Sequence, residues 1–346
     1  MTALKIVIVV LVVLVILAVL VSFWVSRPLF DETRAVKPQH IADTDLALTF
    51  ARSKDGLIWV LSHDGDSLSG VNLTLIYGPE ATADLVDFVN GLDEQALVGL
   101  AEQQEQFPLQ ELMQVADFTY PAVAAGTNFT EHAEEVYSDD PPFLFPKLAA
   151  PSGWRDIVPF TKRLDFEAEL CMFPLQDVTS ADALPRFGLV LCNDFTDRLT
   201  LIKELSLKRP LGETGFASGK GCPGCLPTGY LAVIPRSDEF YLTLELSLYV
   251  NDHLRQRFSM KDVILPIEGI IAQAFEKRQV SYQKGDEAVA LLPHGHIPKG
   301  TLLLTGTAAG VIFKPLNIWN QWVYLKRGDV VRTEGTFLGH MENTIQ

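Results

Sequence analysis

Leu164-Asp165-Phe166-Glu167-Ala168-Glu169-Leu170 sets two glutamates two residues apart among apolar neighbours. On an extended strand residues i and i+2 point to the same face, so the Glu167 and Glu169 carboxylates are expected to converge. Like charges that close either raise one pKa or recruit a cation, and an all-oxygen donor set favours Mg2+, Mn2+ or Ca2+ over zinc. Glu-x-Glu alone is more often a solvated strand face, so its surroundings decide. Downstream, Gly188-Leu189-Val190-Leu191-Cys192-Asn193-Asp194 is an apolar run closed by a carboxylate, which makes Asp194 a natural third ligand. Upstream, Gly126-Thr127-Asn128-Phe129-Thr130-Glu131-His132-Ala133-Glu134-Glu135 puts His132 and Glu135 three apart, on one face of a helical turn. A carboxylate beside an imidazole fixes its tautomer and stabilises the imidazolium, as a general base requires. The same spacing is also a common surface ion pair.

Outward from this core, the chain after Tyr120 reads as short strands separated by Gly and Pro. Leu242, Leu244, Leu246, Leu248 and Val250 alternate with polar residues, a half-buried strand ending at the turn Asn251-Asp252. Val263–Phe275 reads as helix despite Pro266 and Gly269; Leu302–Leu304 and Val330–Val331 read as strands. There is no internal repeat. The pattern predicts a β-rich α+β fold, not a doubly wound sheet. Residues 46–117 read as a small mixed α/β module with a packing or shielding role. It is expected to hold a strand at Val71–Tyr77 and two short helices around Leu85–Phe88 and Leu97–Leu100, the second capped by Asp93.

At the amino terminus, Ile6–Val25 is a run of uncharged, mostly aliphatic residues, which as a helix spans roughly 30 Å, a bilayer's hydrocarbon thickness. The run is long for a cleaved signal peptide, and Phe23, Trp24 and Val25 are poor cleavage chemistry. A retained single-pass anchor is expected, with Trp24 at the interface. Arg27, Arg34 and Lys37 follow the span while Lys5 precedes it, favouring a cytoplasmic-facing body. Four cysteines with no obvious pairing agree. The Asn72 and Asn128 glycosylation triplets are of the number expected by chance. The expected layout is an anchor at 1–27, a linker at 28–45, the module at 46–117 and a catalytic domain at 118–346.

With 48% apolar and 21% charged residues in 346, the chain is no disordered polymer, and 43 acids against 28 Lys and Arg, a net −15, argue against a nucleic-acid partner. Cys222-Pro223-Gly224-Cys225 invites a zinc or redox reading, but there is no second such pair, and a structural role is favoured. His294-Gly295-His296 runs into a Pro-Lys-Gly turn and reads as an exposed loop.

In this order the motifs resemble the fumarylacetoacetate hydrolase (fumarylacetoacetase) family, from about Tyr120 to Gln346. The family's Gly-x-Asn-Tyr…His-x-x-Glu element is matched by Gly126, Asn128, Phe129, His132 and Glu135, and its Phe-x-Lys by Phe145 and Lys147. Asp165, Phe166, Glu167, Glu169 and Leu170 match its Asp-Tyr-Glu-x-Glu-Leu strand. Asn193 and Asp194 match its Asn-Asp pair, and Gly219 and Lys220 its Gly-Lys loop. Leu304–Thr307 with Gly310-Val311 match its Leu-Thr-Gly-Thr loop, and Leu325, Gly328, Asp329, Val330, Gly339, Asn343 and Thr344 its closing pattern.

The resemblance implies a fumarylacetoacetase-type mixed β-sandwich or roll. It implies Glu167, Glu169 and Asp194 as ligands of Mg2+ (or Mn2+, Ca2+), and His132 and Glu135 as the water-activating pair. Lys220 would stabilise developing negative charge; Lys147, Thr305, Gly306 and Thr307 would contact substrate. The implied reaction is hydrolysis of a C–C bond in a small β-diketo or 2-oxo acid, with oxaloacetate-type decarboxylation or 2-oxo-alkenoate hydration as alternatives. An inactive membrane-anchored binding protein is the alternative of another class. A homodimer is implied as well. Phe129 and Phe166 stand where the family has Tyr, Ala308 and Leu148 where it has Pro, and Leu199 where an acid follows the Arg.

Overall fold

The computed structural model describes residues 2–35, 39–136, 140–182 and 184–346; Lys37, counted above among the charges after the span, lies outside them. Among the described residues, ten strands form one mixed sheet in the spatial order Glu105–Pro108, Ser67–Asn72, Gly56–Asp64, Ala47–Ser53, Ala232–Pro235, Phe187–Asn193, Ala168–Pro174, Thr301–Leu304, Thr119–Gly126 and Phe143–Lys147. Thr301–Leu304 runs parallel to Thr119–Gly126; the other neighbours pair antiparallel. A second sheet orders His253–Ser259, Glu245–Val250, Val330–Gly335 and Gly339–Thr344. It faces the first across a buried core, and the Asn193 Nδ2–Thr333 Oγ1 bond (3.0 Å) ties the two together. The fold is the expected strand-rich α+β.

The central strands Ala168–Pro174 and Phe187–Asn193 are buried along their whole length, as strands covered on both faces must be. The 46–117 segment does not form a sheet of its own. Its strand Ala47–Ser53 pairs with Ala232–Pro235, Thr49 opposite Val233, so the segment extends the large sheet and covers its edge.

Several local expectations shift, each for a local reason. Val71–Tyr77 is a strand only to Asn72, whose side chain accepts the amides of Thr74 and Leu75 and starts the helix Leu73–Tyr77. The alternating segment is a 3-10 turn over Phe240–Thr243 and becomes strand at Glu245; opposite Leu248 and Tyr249 the partner strand bulges at Arg255, and Tyr249 is buried. The helix expected from Val263 begins at Ile267, because Pro266 disfavours helical geometry in the residue before it. The helices Leu85–Gly91 and Glu94–Val98 form as expected, with Asp93 capping the second.

Asn72 and Asn128 are both buried and hydrogen-bonded, which leaves no room for a glycan. His294 lies in an exposed turn. The cysteines, expected unpaired, are joined as Cys171–Cys192 between neighbouring strands and Cys222–Cys225 within one turn, with Cα separations of 5.8 and 5.3 Å. Thiol usage therefore no longer supports a cytoplasmic-facing body, and Cys222–Cys225 is not a thiolate pair.

The helix Thr2–Val25 projects its side chains outward and, among the described residues, is the one helix long and apolar enough to cross a membrane. Its exit is fastened to the body. Ser22 Oγ meets Asn320 Nδ2 at 3.0 Å, and Asn317 Nδ2 donates to Ser26 Oγ at 2.8 Å. The linker is pinned too: Arg34 pairs with Glu334 at 2.9 Å and Glu32 with Arg257 at 2.7 Å, both on the second sheet.

Candidate active site

Glu169 lies on the buried Ala168–Pro174 strand, and Glu167 in the bend just before it. Hydrogen bonds from Glu167 N to Asn193 Oδ1 (3.0 Å) and from Asp194 N to Glu167 O (2.9 Å) clip that bend to the end of the neighbouring strand. One ligand oxygen from each of Glu167, Glu169 and Asp194 lies within 4.8 Å of the others, and all three residues are buried. The expected convergence is present.

Three cations surround this negative charge. Lys220, at the end of the short helix Phe216–Gly219, reaches Glu167 at 2.7 Å and Asp194 at 2.8 Å. Arg198, which follows the N-cap Asp197, bridges Glu167 (2.5 Å) and Asp165 (2.9 Å). Lys147 is fully buried, 2.5 Å from Asp194, and donates to the carbonyls of Phe195 and Cys225. Burial alone would raise the Glu167 pKa, but Lys220 and Arg198 outweigh it and hold it below the usual range. Burial lowers the Lys147 pKa despite Asp194. Glu169 differs: burial, then Asp194 and Glu167, push its carboxyl well above the ordinary value. Its Oε2 accepts Gly306 N at 2.7 Å, whereas its buried Oε1 has no partner. An orphaned, desolvated carboxylate oxygen facing two others is what a small divalent cation would satisfy, and the all-oxygen set suits Mg2+ or Mn2+.

His132 and Glu135 share the helix Thr130–Glu135, with Nδ1 and Oε2 3.6 Å apart, an ion-pair contact rather than a hydrogen bond. Glu135 is further held by Lys314 at 3.0 Å and by Gly310 N at 3.2 and 3.1 Å. Burial raises the Glu135 pKa, but the His132 ring and Lys314 more than offset it. Asn128 anchors this element, accepting Leu265 N at 2.6 Å and donating to Leu265 O and Thr305 O.

The Thr305–Thr307 loop is largely occupied with the protein itself. Thr305 Oγ1 donates to Leu170 O (3.0 Å) and Thr307 Oγ1 to Ala168 O (2.7 Å), while Gln256 Nε2 reaches Thr307 Oγ1 at 2.8 Å. Gly306 sits at φ +84°, a conformation that suits glycine, so its amide can face Glu169. The loop thus positions a carboxylate, with Thr307 also reaching the cavity. Lys147, expected at substrate, does not line that cavity; its ammonium is used on Asp194.

A cavity of about 400 Å³ collects His132, Glu167, Arg198, Lys220 and Thr307 at one end. Two neighbours of the site were matched to family motifs in the sequence but given no role there. Asp165 accepts the amides of Ile312 and Phe313 at 2.8 and 2.9 Å as well as Arg198, and so ties the carboxylate bend to the loop over the cavity. Its signal was the third acid of Asp165-x-Glu167-x-Glu169. Arg198 carried no local signal beyond following an N-cap.

A buried acidic triad beside an imidazole–carboxylate pair, on a strand-rich mixed sheet, defines a class of metal-dependent enzymes. Residues 122–346 match the family model described as Fumarylacetoacetate (FAA) hydrolase C-terminal, and the chain belongs to the fumarylacetoacetate hydrolase family. Its fold is similar to that of maleylpyruvate hydrolase from Sphingobium sp. SYK-6, at 21% identity and a TM-score of 0.57, covering 86% of this chain and 98% of that one. The same enzyme in complex with manganese (II) ion and pyruvate is 19% identical with a TM-score of 0.55, over 86% and 98% of the two chains. Fumarylacetoacetate hydrolase from the psychrophilic Exiguobacterium antarcticum is 18% identical with a TM-score of 0.59, over 87% and 99%. No curated protein matches by sequence.

Proposed function

We propose that the protein is a membrane-tethered, divalent-metal-dependent hydrolase that cleaves a C–C bond in a β-diketo 2-oxo acid of the acylpyruvate type. The observation that carries the reading is the convergence of Glu167, Glu169 and Asp194 within 4.8 Å, with Glu167 and His132 lining one cavity and Glu135 3.6 Å from the His132 ring. These three carboxylates would hold Mg2+ or Mn2+, which when bound supplies Lewis-acid stabilisation of charge on the substrate's oxygens. His132 takes a proton from water, and Glu135 stabilises the imidazolium so formed. The water oxygen bonds to the acyl carbon, and the bond from that carbon to the neighbouring methylene breaks. Its electron pair leaves as the pyruvate enolate, which takes up a proton; the products are a carboxylate, pyruvate and one released proton. Lys220 and Arg198 face the developing negative charge.

The helix Thr2–Val25 supports a single-pass anchor, with Arg27 and Arg34 favouring a body on the cytoplasmic side. The domain layout and a homodimer rest on the sequence pattern and family resemblance.

Full-length protein in detergent with Mn2+ should consume acylpyruvates, and a chelator should stop it; turnover indifferent to chelator would sink the reading. Glu169→Ala and Asp194→Ala should each lose Mn2+ binding in calorimetry. His132→Asn should lower turnover about 100-fold or more while Mn2+ binding stays within a few-fold.

A further inference from the structure

The cavity has two unlike kinds of wall. Next to the charged groups, and starting at Phe145 under the Lys220 ammonium, it is lined by Phe143, Phe145, Leu201, Leu205, Leu211 and Phe216. The facing wall is Phe313, Pro315 and Ile318, from the loop that follows the Thr305–Thr307 turn. A three-carbon acid engages only the charged end and leaves these apolar walls uncovered.

The position of this apolar half sets it apart from an ordinary greasy pocket. The loop that walls it is the loop to which the apolar helix is fastened: Asn317 binds Ser26 and Asn320 binds Ser22, on either side of Ile318. Large apolar side chains stand exposed on the cavity lining and in this loop region. Leu207, which lines the cavity, is 93% exposed, and Leu316, Trp319 and Trp322 of the loop region are 48%, 43% and 58% exposed. Tryptophans beside the end of an apolar span favour the headgroup layer of a bilayer. With the helix in a membrane, the loop that walls the cavity lies close to the lipid interface.

We infer that the substrate is amphiphilic: a 2-oxo or β-diketo acid whose long acyl chain occupies the apolar half and enters from the membrane surface. This rests on the reading of the site given above and adds the acyl group. The cleavage is unchanged, so the carboxylate product is a fatty acid and the small product is pyruvate. Each methylene brought from water into the cavity should tighten binding about fourfold.

The test separates chain recognition from turnover. Full-length protein in lipid nanodiscs with Mn2+ is titrated with pyruvate, 2-oxohexanoate and 2-oxodecanoate, which lack the β-carbonyl and are not cleaved; empty nanodiscs give the lipid background. In parallel, acetyl-, hexanoyl- and decanoylpyruvate are assayed as substrates. Affinity and kcat/KM should both rise at least 100-fold from the shortest to the longest compound. Leu207→Glu removes no packing at so exposed a position and should cut that gain at least tenfold. Affinity that is flat or falls with chain length overturns the inference, as does an undiminished gain in Leu207→Glu. Chain-dependent binding with no acylpyruvate turnover upholds the amphiphilic ligand and overturns the hydrolytic reading instead.

Discussion

Glu167, Glu169 and Asp194 are equally buried but differ in what neutralises them. Two of the three touch ammonium or guanidinium groups, while Glu169 keeps an unpartnered oxygen, so its carboxylate is the least compensated of the cluster. Lys147 and Lys220 resemble each other in sequence yet divide the work. Lys220 reaches the cavity, whereas Lys147 lies behind Asp194 and fixes its orientation. Their difference was illegible in the motifs, because both follow from which strand covers each side chain. A second buried group sets a pH dependence. His340 packs against Trp154 and Tyr230, and burial, reinforced by Arg332, lowers its pKa to about 3. Because this folded-state value lies below the unfolded value near 6.5, the neutral ring favours folding at neutral pH. That stability is complete above about pH 6.5 and is lost as pH falls towards 3, on the order of 5 kcal/mol in all. The thermal midpoint of the full-length protein should therefore drop between pH 7 and pH 4.5, and His340→Gln should flatten that drop.

Among the elements, the turn after the strand Thr301–Leu304 controls the chemistry most tightly. Gly306 aims an amide at Glu169, and four residues later Gly310 aims one at Glu135, so one short segment sets both carboxylates. Gly310 sits at φ +109°, and a Cβ there would lie 2.1 Å from the Arg255 carbonyl oxygen. Gly310→Ala should shift this turn, lowering turnover at least tenfold and the thermal midpoint by several degrees, while Mn2+ affinity stays within a few-fold. Parallel assays of turnover, melting and calorimetry read all three. Elements with strong local signals were readable in advance: the capped helix Glu94–Val98, the strand Val330–Gly335 and the carboxylate-bearing strand. Where prediction slipped, at Asn72, Pro266 and the bulge opposite Leu248 and Tyr249, a single residue ended or redirected an element inside a continuous apolar run.

At the scale of the whole molecule, the apolar helix, the loop carrying Asn317 and Asn320, and the cavity form one connected unit. Deleting residues 2–25 should move the protein from the membrane pellet to the supernatant, and the full chain should resist alkaline carbonate extraction. Charge and cystine pull in opposite directions on orientation: Arg27 and Arg34 after the span favour a cytoplasmic body, two disulfides an oxidising compartment. A carboxyl-terminal alkaline phosphatase fusion decides between them, and the charge rule predicts that it stays silent. What was legible in the sequence by itself is the strand-rich class, the Glu167–Glu169 pair, the imidazole–carboxylate pair and the apolar span, each written in short-range spacing that a strand or helical turn turns directly into proximity, while Asp194 was placed through the family's motif order. Only the tertiary structure decided that the 46–117 segment extends the main sheet, that Arg198 and Lys147 serve the carboxylates, and that the loop walling the cavity is tied to the span. Those relations join residues tens to hundreds of positions apart. Buried charges must find partners and sheet edges must be covered, and no local spacing records which distant residue does either.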